Sequence, residues 1–231
     1  MLKTIPNLFC VPVILLLLLS CGGTTKVLEV ANTASWKQCA NIDTTSKVIF
    51  SDNFDNNNNK WPLTNNKRFL ANVANGVFHV EKFHQNAEYQ GCLWLVKAIR
   101  GFDTKSNFQI SFDAKFLKCK DTYNEIDLQW GHIQEDSYQI TFTNDGQIVL
   151  RRFTENKSPK WVPIASTVMK NLVNKDHSNK ITIRQIDDTC IICINGYEAI
   201  NTKVEKLGGN FIGIQQCWKV AWELDNIEIR Q

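Results

Sequence analysis

The chain has 231 residues, with 26 Lys and Arg against 23 Asp and Glu, and eight cysteines. This length suits one domain with a full core and is short for two. The charges are balanced and form no basic block. Because binding to phosphates needs concentrated Lys and Arg, the composition argues against nucleic acid as a partner.

The chain opens with an apolar run. Lys3 supplies a positive charge, and an apolar stretch from Leu8 to Leu19 leads into the lipobox Leu18-Leu19-Ser20-Cys21. These are the parts of an export signal, and the stretch is shorter than the roughly 20 apolar residues that span a bilayer. The segment resembles the signal peptides of bacterial lipoproteins. The alternative is an ordinary secretory signal with a chance cysteine.

The resemblance implies that residues 1–20 are removed and that Cys21 begins the mature chain, with acyl chains on its thiol and on the new amino terminus. Several acyl chains hold a protein firmly, because each buried methylene adds about 0.8 kcal/mol. We therefore expect a lipid-anchored protein of the bacterial cell envelope. The expected site is the outer membrane, with the periplasmic and surface sides both open.

Residues 21–46 are small and polar, with Trp36 and Cys39 as the candidate anchors, and predict a flexible tether before a domain over residues 47–231. The Asn run at 56–59 predicts a surface loop. A calcium-binding loop is the alternative, because Asp52 and Asp55 lie nearby. No other cofactor is expected.

Six cysteines remain beyond Cys10 and Cys21, and they leave the disulfide pairing open: Cys39, Cys92, Cys119, Cys190, Cys193 and Cys217. The pair Cys190 and Cys193 is a candidate redox or metal motif. It lies in a predicted strand, where residues three apart point to opposite faces. A structural role for both cysteines is therefore favoured.

From Val48 onwards, apolar and polar residues alternate in short runs, a period typical of half-buried strands. The clearest runs cover residues 78–81, 108–116, 125–130 and 138–143. Turn signals separate the runs at Asn75-Gly76, Asn144-Asp145-Gly146, Asp187-Asp188 and Asn195-Gly196. The nearest approach to a helix is a turn or two around Val168 to Val173. The pattern predicts an antiparallel sandwich or barrel.

The landmarks also follow a known order. Phe50-Ser51-Asp52-Asn53-Phe54-Asp55, Trp130-Gly131, Ile194-Asn195-Gly196 and the closing Leu224-Asp225-Asn226-Ile227-Glu228-Ile229 resemble concanavalin A-like jelly-roll domains of exported bacterial proteins. Laminin-G-like modules and the 3-keto-disaccharide hydrolase-like family are included in this resemblance, which covers about residues 48–231. It implies an all-β antiparallel jelly roll and a role related to glycans.

The segment Glu125-Ile126-Asp127-Leu128-Gln129 places three polar residues on one face of a strand. It resembles the Glu-x-Asp-x-Glu motif of laminarinase- and lichenase-type glycosidases, in which the first Glu is the nucleophile, the Asp assists it and the last Glu is the general acid/base. Glu125 and Asp127 match this motif, and Gln129 does not. An amide cannot donate and regain the proton, so a glycosidase would need another acid. The alternative is a solvent-facing side of an amphipathic strand.

The same alternation predicts a binding face. If the apolar residues face the core, the opposite, concave face presents polar side chains suited to sugar hydroxyls: Gln109, Ser111, Asp113, Glu125, Asp127, Gln129, Gln139 and Thr141, with Arg151 from the next strand. An aromatic ring is expected to stack on the sugar, and the candidates are Trp94, Trp161, Trp218 and Trp222.

Other chemistry lacks support. His79, His84, His132 and His177 show no metal-binding spacing, and neither a Gly-rich phosphate loop nor a Gly-x-Ser-x-Gly elbow occurs.

The sequence thus predicts a membrane-anchored lipoprotein whose jelly roll binds carbohydrate or another surface polymer. The alternatives are a glycan hydrolase using Glu125 or Asp127, and a non-catalytic interaction module of the envelope. A second carboxylate across the concave face, such as Asp113 or Glu155, would favour catalysis.

Overall fold

Two antiparallel sheets form the domain. The computed structural model describes residues 36–39, 45–83, 91–117, 124–132 and 135–231. The strands in these ranges are β1 (Val48–Asp52), β2 (Thr64–Asn65), β3 (Phe69–Ala74), β4 (Val77–Lys82), β5 (Leu93–Ala98), β6 (Phe108–Phe116), β7 (Glu125–Gly131), β8 (Asp136–Thr143), β9 (Gln147–Thr154), β10 (Trp161–Val168), β11 (Asn179–Ile186), β12 (Thr189–Ile194), β13 (Tyr197–Lys203), β14 (Phe211–Gln216) and β15 (Ala221–Arg230).

The strand order shows how the chain divides between the sheets. The nine-stranded sheet runs β13-β12-β11-β6-β15-β4-β3-β2, and β1 also pairs with β15. The six-stranded sheet runs β10-β9-β8-β7-β14-β5. The predicted runs at 78–81, 108–116, 125–130 and 138–143 all lie in strands, and the predicted all-β sandwich is confirmed.

The core lies between the sheets and is built by the apolar half of each alternating strand. The rings of Phe116 of β6 and Phe142 of β8 meet across this layer with their centroids 5.4 Å apart, and both side chains are at most 4% exposed. Since successive residues of a strand point to opposite faces, the polar half of each strand is turned to the outside of the sandwich. This alternation positions the candidate site residues that lie in strands.

Two predicted turns show why Asn-Gly joins neighbouring strands. Asn75 and Gly76 have φ values of 55° and 75°, and Asn195 and Gly196 have 51° and 84°. Two consecutive left-handed residues twist in the sense of the flanking strands, and Asn and Gly tolerate this conformation best. These turns connect β3 to β4 and β12 to β13. Around Val168 to Val173 the chain forms a turn closed by the Leu172 N–H donating to the Met169 carbonyl at 2.9 Å.

Two disulfides are present in the described ranges, Cys39–Cys193 and Cys92–Cys217. Cys190 is a free, buried thiol, and burial raises its pKa to about 12. Cys190 and Cys193 therefore do not bond to each other, in line with their positions on opposite faces of β12. Cys119 lies outside the described residues.

Residues 36–39 are attached to the domain, although they fall in the segment predicted as a tether. Lys37 forms an ion pair with Glu198 at 2.9 Å, and Gln38 pairs with Tyr197 as an isolated bridge. The Cys39–Cys193 disulfide adds a covalent link to β12. Cys21 lies outside the described residues. Within the described ranges, no helix is long and apolar enough to cross a membrane.

Candidate functional site

The outer face of the six-stranded sheet gathers polar side chains from four neighbouring strands. Ile126, Leu128 and Trp130 of β7 enter the core, so Glu125, Asp127 and Gln129 point outward. We call the outward set in the middle of this sheet the polar face; its members are Glu125, Asp127, Gln129, Gln139, Thr141, Arg151 and Gln215.

The strand register brings these residues side by side. Asp127 lies opposite Thr141 of β8 on one side and opposite Gln215 of β14 on the other. Gln129 lies opposite Gln139, which in turn lies opposite Arg151 of β9. The sequence-predicted residues Glu125, Asp127, Gln129, Gln139 and Arg151 thus share one face.

Asp127 is the electrostatic centre of the polar face. Its carboxylate accepts a hydrogen bond from the Thr141 hydroxyl, and the Arg151 guanidinium donates to the same hydroxyl oxygen at 2.7 Å. Burial raises the pKa of Asp127 to about 7, and the neighbouring Glu125 charge acts in the same direction. The hydrogen bond from Thr141 and the charge of Arg151 oppose this rise. Asp127 can therefore exchange a proton near neutral pH.

Three glutamines form an amide cluster beside Asp127. Gln129 Nε2 donates to Gln215 Oε1 at 3.1 Å, and Gln139 Nε2 donates to the same oxygen at 2.7 Å. Gln215 Nε2 contacts Cys217 Sγ at 3.2 Å, within the disulfide to Cys92. The cluster is preorganised, because each amide is held by its neighbours before a ligand arrives.

The polar side chains are recessed although they point away from the core. Glu125 is 6% exposed, Asp127, Gln129 and Gln139 are each 3% exposed, and Gln215 is 8% exposed. Buried polar groups of this kind are costly unless they are hydrogen-bonded, and the cluster supplies such bonds.

Three of the four candidate aromatic residues lie outside the core between the sheets. Trp94 of β5 lies opposite Gln215 in the register and is 49% exposed, so its ring borders the polar face. Trp218 follows β14 and is 46% exposed. Trp161 lies on the outward side of the edge strand β10, with its ring 5.0 Å from that of Phe153.

Trp222 must be removed from the candidate stackers. It is 0% exposed, belongs to the core between the sheets, and its Nε1–H donates to Gln216 Oε1 at 2.6 Å. Its neighbours Leu224 and Val220 are also core residues, because β15 buries this side. Trp222 cannot contact a ligand on either outer face without unfolding of the domain.

Asp113, Gln109 and Ser111 are also corrected. They lie on β6, which belongs to the nine-stranded sheet, so they do not share a face with Glu125. Asp113 instead accepts a hydrogen bond from Asn226 Nδ2 at 3.0 Å and lies 3.6 Å from Lys180 Nζ. The sequence alternation is the same for both sheets, which is why it grouped β6 with β7.

Glu155 is equally unable to serve as a second carboxylate for Glu125. It follows β9 and pairs with Lys160 at 2.7 Å. The strand register places the end of β9 beside Gly131, whereas Glu125 begins β7 at the opposite end of the sheet. Neither carboxylate proposed from the sequence as a partner lies across the polar face from Glu125.

The loop proposed from the sequence as a calcium-binding alternative begins after Asp52. Asp52 accepts hydrogen bonds from Phe54 N at 2.9 Å and from Trp61 Nε1 at 2.7 Å, so it supports the start of the Asn-rich loop. His79 and His132 lie beside Glu81 and Glu135. Among the described residues, no group of three or more His, Cys, Asp or Glu is placed to hold a metal ion.

Gln215 is the member of the polar face that sequence reasoning missed. It lies in β14, where Ile212 and Ile214 enter the core and therefore turn Gly213 and Gln215 outward. That local signal was available. Its pairing with β7 was not, because the two strands are more than 80 residues apart in the chain.

Comparisons with known proteins agree on the fold. No family model matches the chain, and no curated protein matches it. A Bacillus subtilis protein of unknown function with a galectin-like fold matches with a TM-score of 0.59 and 8% identity, covering 85% of this chain and 98% of that one. The CBM2 module of the evolved Dit of Lactobacillus casei BL23 phage J-1 matches at 0.58 and 10% identity, covering 84% and 96%.

A third similar structure is SCLam, a non-specific endo-beta-1,3(4)-glucanase from family GH16. Its TM-score is 0.55 at 11% identity, covering 85% of this chain and 94% of that one. At these identities the similarity concerns the fold. The domain therefore has galectin-like and GH16 neighbours in structure, and the predicted antiparallel jelly roll is confirmed.

Proposed function

We propose that this protein is an envelope lipoprotein whose polar face binds a carbohydrate without hydrolysing it. The observation that carries the proposal is the convergence of two carboxylates, three amides and Arg151 on one sheet face bordered by Trp94. Carboxylates and amides match the hydroxyls of a sugar, and an exposed indole ring offers a surface for stacking. The names of two structural neighbours, a CBM2 module and a glucanase, support a glycan as the ligand.

The recessed position of the polar side chains shapes the expected mode of binding. Trp94 is half exposed, whereas Asp127 is 3% exposed. We therefore expect the ligand to stack on the Trp94 ring and to form hydrogen bonds with the polar groups only where part of it enters the recess. Preorganised amides lose little side-chain freedom when they bind. Such a site suits selective recognition of one sugar unit within a polymer.

The proposal is tested with the mature chain carrying Cys21→Ser, which removes the predicted lipid anchor. We expect it to be retained by at least one neutral glycan on an array, and Trp94→Ala to weaken that binding by about tenfold or more, the loss expected of a stacked ring. Leu63→Ala is the matched control, because Leu63 is also half exposed but lies just before β2 of the other sheet. Equal binding by all variants, or none to any glycan, would reject the proposal.

Membrane anchoring is the second part of the proposal and rests on the lipobox. Cys21→Ser should abolish acylation and leave the protein unprocessed or in the aqueous phase of a detergent partition. Cys10→Ser is the control, because Cys10 lies within the predicted signal. A Cys21→Ser protein that keeps the wild-type mature mass and still partitions with membrane would contradict the anchor.

One observation favours a glycan hydrolase as an alternative. The pKa of Asp127 is about 7, so this carboxyl can hold a proton near neutral pH beside the carboxyl of Glu125. Hydrolysis of a glucan by the wild-type protein that disappears in Glu125→Gln would establish this function.

The low exposure of the polar face favours a further alternative, the non-catalytic interaction module of the envelope. Its contacts would then use the exposed Trp94 and Trp218 and not the recessed carboxylates. A partner protein whose binding depends on both tryptophans and is unaffected by Asp127→Asn would support this alternative.

A further inference from the structure

We propose that Gln215 is a positioning residue that makes the polar face an acceptor surface, and that it thereby selects neutral glycans over acidic ones. This inference rests on the proposed function. It concerns which hydrogen-bonding groups of the amide cluster are left for a ligand.

Two carbonyl oxygens of the cluster take no part in its internal hydrogen bonds. Gln129 and Gln139 both use Nε2 to donate to the single oxygen Gln215 Oε1, at 3.1 and 2.7 Å. In the part of the chain that the structure describes, no donor reaches Oε1 of Gln129 or of Gln139. An amide oxygen can accept two hydrogen bonds, so each of these oxygens is available to a sugar hydroxyl.

Gly213 makes room for this arrangement. It lies opposite Gln129 in the register, and a Cβ at this position would be 3.4 Å from Gln129 Oε1 and 3.3 Å from Gln129 Cβ. The Gln129 side chain can therefore lie across β14 toward Gln215. A side chain at position 213 would crowd it.

The disulfide determines which end of the Gln215 amide faces the other glutamines. Gln215 Nε2 is 3.2 Å from Cys217 Sγ, and this sulfur is bonded to Cys92. A disulfide sulfur has no hydrogen and can only accept, so it favours the NH₂ end of Gln215 on its side. Oε1 is then directed at Gln129 and Gln139, and both must offer their donors to it.

The remaining groups of the face reinforce the acceptor character. Glu125 contributes a carboxyl group, and Asp127 becomes a carboxylate above its pKa of about 7. The Arg151 guanidinium is the cation of the set, and one of its nitrogens is directed at Thr141, the residue that donates to Asp127. Acceptors thus outnumber donors where a ligand would lie.

Ligand chemistry follows from this polarity. A neutral sugar hydroxyl both donates and accepts, so it can donate to Gln129, Gln139 and the carboxylates. A sulfate or an ionised uronate only accepts, and it would face carbonyl and carboxylate oxygens without a hydrogen between them. We therefore expect neutral glycans to bind and their acidic counterparts to be rejected.

The experiment compares polymers that differ only in sulfation, using the mature chain with Cys21→Ser. The probes are laminarin, xylan and dextran, each with its sulfated form, measured by affinity electrophoresis and calorimetry. We expect the wild-type face to bind at least one neutral member about tenfold or more tighter than its sulfated partner, the effect of roughly one misplaced hydrogen bond.

Two substitutions test the role of Gln215. Gln215→Leu removes the acceptor and lets Gln129 and Gln139 rotate, so affinity for the neutral polymer should fall about tenfold and the preference over the sulfated form should narrow. Gln215→Glu keeps an acceptor for both amides but loses the donor to Cys217 Sγ, so it should lose less affinity for the neutral polymer than Gln215→Leu does. Charge cannot explain that difference, because the polymer is uncharged.

Gln185→Leu is the matched control for a buried glutamine. Gln185 is 1% exposed and lies in β11 of the other sheet, where its Nε2 donates to the Thr104 carbonyl. Gln185→Leu should lower thermal stability and leave the preference for neutral over sulfated polymers unchanged.

Three outcomes would overturn the inference: tighter or equal binding of the sulfated polymers, no binding of any neutral probe, or a Gln215→Leu effect no larger than that of Gln185→Leu. Binding that still depends on Trp94 while ignoring Gln215 would leave the proposed function standing and reject only this inference.

Discussion

The outer faces of the two sheets are built from the same alternation of apolar and polar residues, yet they treat their charges differently. On the six-stranded sheet, Asp127 is 3% exposed and its pKa is raised to about 7. On the nine-stranded sheet, the side chains of Lys180 and Asp113 form an ion pair while 41% and 25% exposed. A pair in contact with solvent costs little, whereas a recessed carboxylate is destabilising unless its partners compensate.

This difference means that burial of the Asp127 carboxyl makes the polar face a destabilising part of the fold. Costly buried charges concentrate at functional sites, because a binding or catalytic group must be desolvated to act. On the nine-stranded sheet, the charged pair Lys180–Asp113 stays in contact with solvent, so no such desolvation has to be compensated there.

We expect the largest loss of stability from a substitution in the core, compared with one on an outer face. Trp222→Ala should lower the free energy of unfolding by about 3–5 kcal/mol, because it empties a large site in the core and leaves Gln216 without its donor. Urea unfolding measures this change. Trp94→Ala is the matched comparison and should cost less than about 1 kcal/mol while weakening glycan binding. Equal losses of stability would place Trp94 in the core as well.

The next prediction concerns how the free energy of unfolding depends on pH, which differs between a recessed carboxyl and an exposed one. The pKa of Asp127 rises from 3.8 to about 7 on folding, chiefly through burial, so between these values the folded protein binds more protons than the unfolded chain. Its free energy of unfolding should therefore fall as pH rises from about 4 to 7 and level off above. One pKa unit equals about 1.4 kcal/mol, so the total change is of the order of a few kcal/mol.

Asp127→Asn should remove this slope and stabilise the protein at pH 8, as measured by denaturant unfolding at a series of pH values. Asp188→Asn is the comparison. The hydrogen bond from Lys203 lowers the pKa of this exposed carboxylate, so Asp188 makes the free energy of unfolding rise with pH, whereas Asp127 makes it fall. A slope that survives in Asp127→Asn would show that Asp127 is not the buried acid of the face.

The smallest expected effect concerns catalysis. Gln129→Glu would place a proton donor on the same face as Glu125, and a trace of β-glucan hydrolysis should appear, since general acid catalysis contributes typically 10²–10⁴-fold. Gln109→Glu on the other sheet is the control and should remain inactive, and the readout is the release of reducing sugar. Robust hydrolysis by the wild type that is lost in Glu125→Gln would contradict a binding function.

The sequence predicted the strands because their signals are local. The alternation in 108–116 and 125–130 and the Asn-Gly turns depend on neighbouring residues, and the structure places all of them as expected. Membership of a sheet depends on pairing between distant strands. The alternation of β6 is the same in either sheet, so Asp113 was assigned to the wrong face.

The candidate site was predicted in part for the same reason. Glu125, Asp127 and Gln129 follow one another on a single strand, so their shared face could be read from spacing alone. Gln215 joins them only because β14 pairs with β7. Trp222 lies on the same side of β15 as the core residue Leu224 and alternates with Glu223, so local spacing already argues for its burial and against a stacking role. Disulfide pairing was out of reach, since Cys39 meets Cys193 across 154 residues.

The position of a bound ligand can be mapped directly on the molecule. Backbone amide resonances of the mature chain carrying Cys21→Ser are followed by NMR during titration with the neutral oligosaccharide that the glycan array selects. We predict that shifts concentrate in β5, β7, β8 and β14, around Trp94, Asp127, Gln139 and Gln215. Shifts confined to the outer face of the nine-stranded sheet, around Ser111 and Lys180, would contradict it.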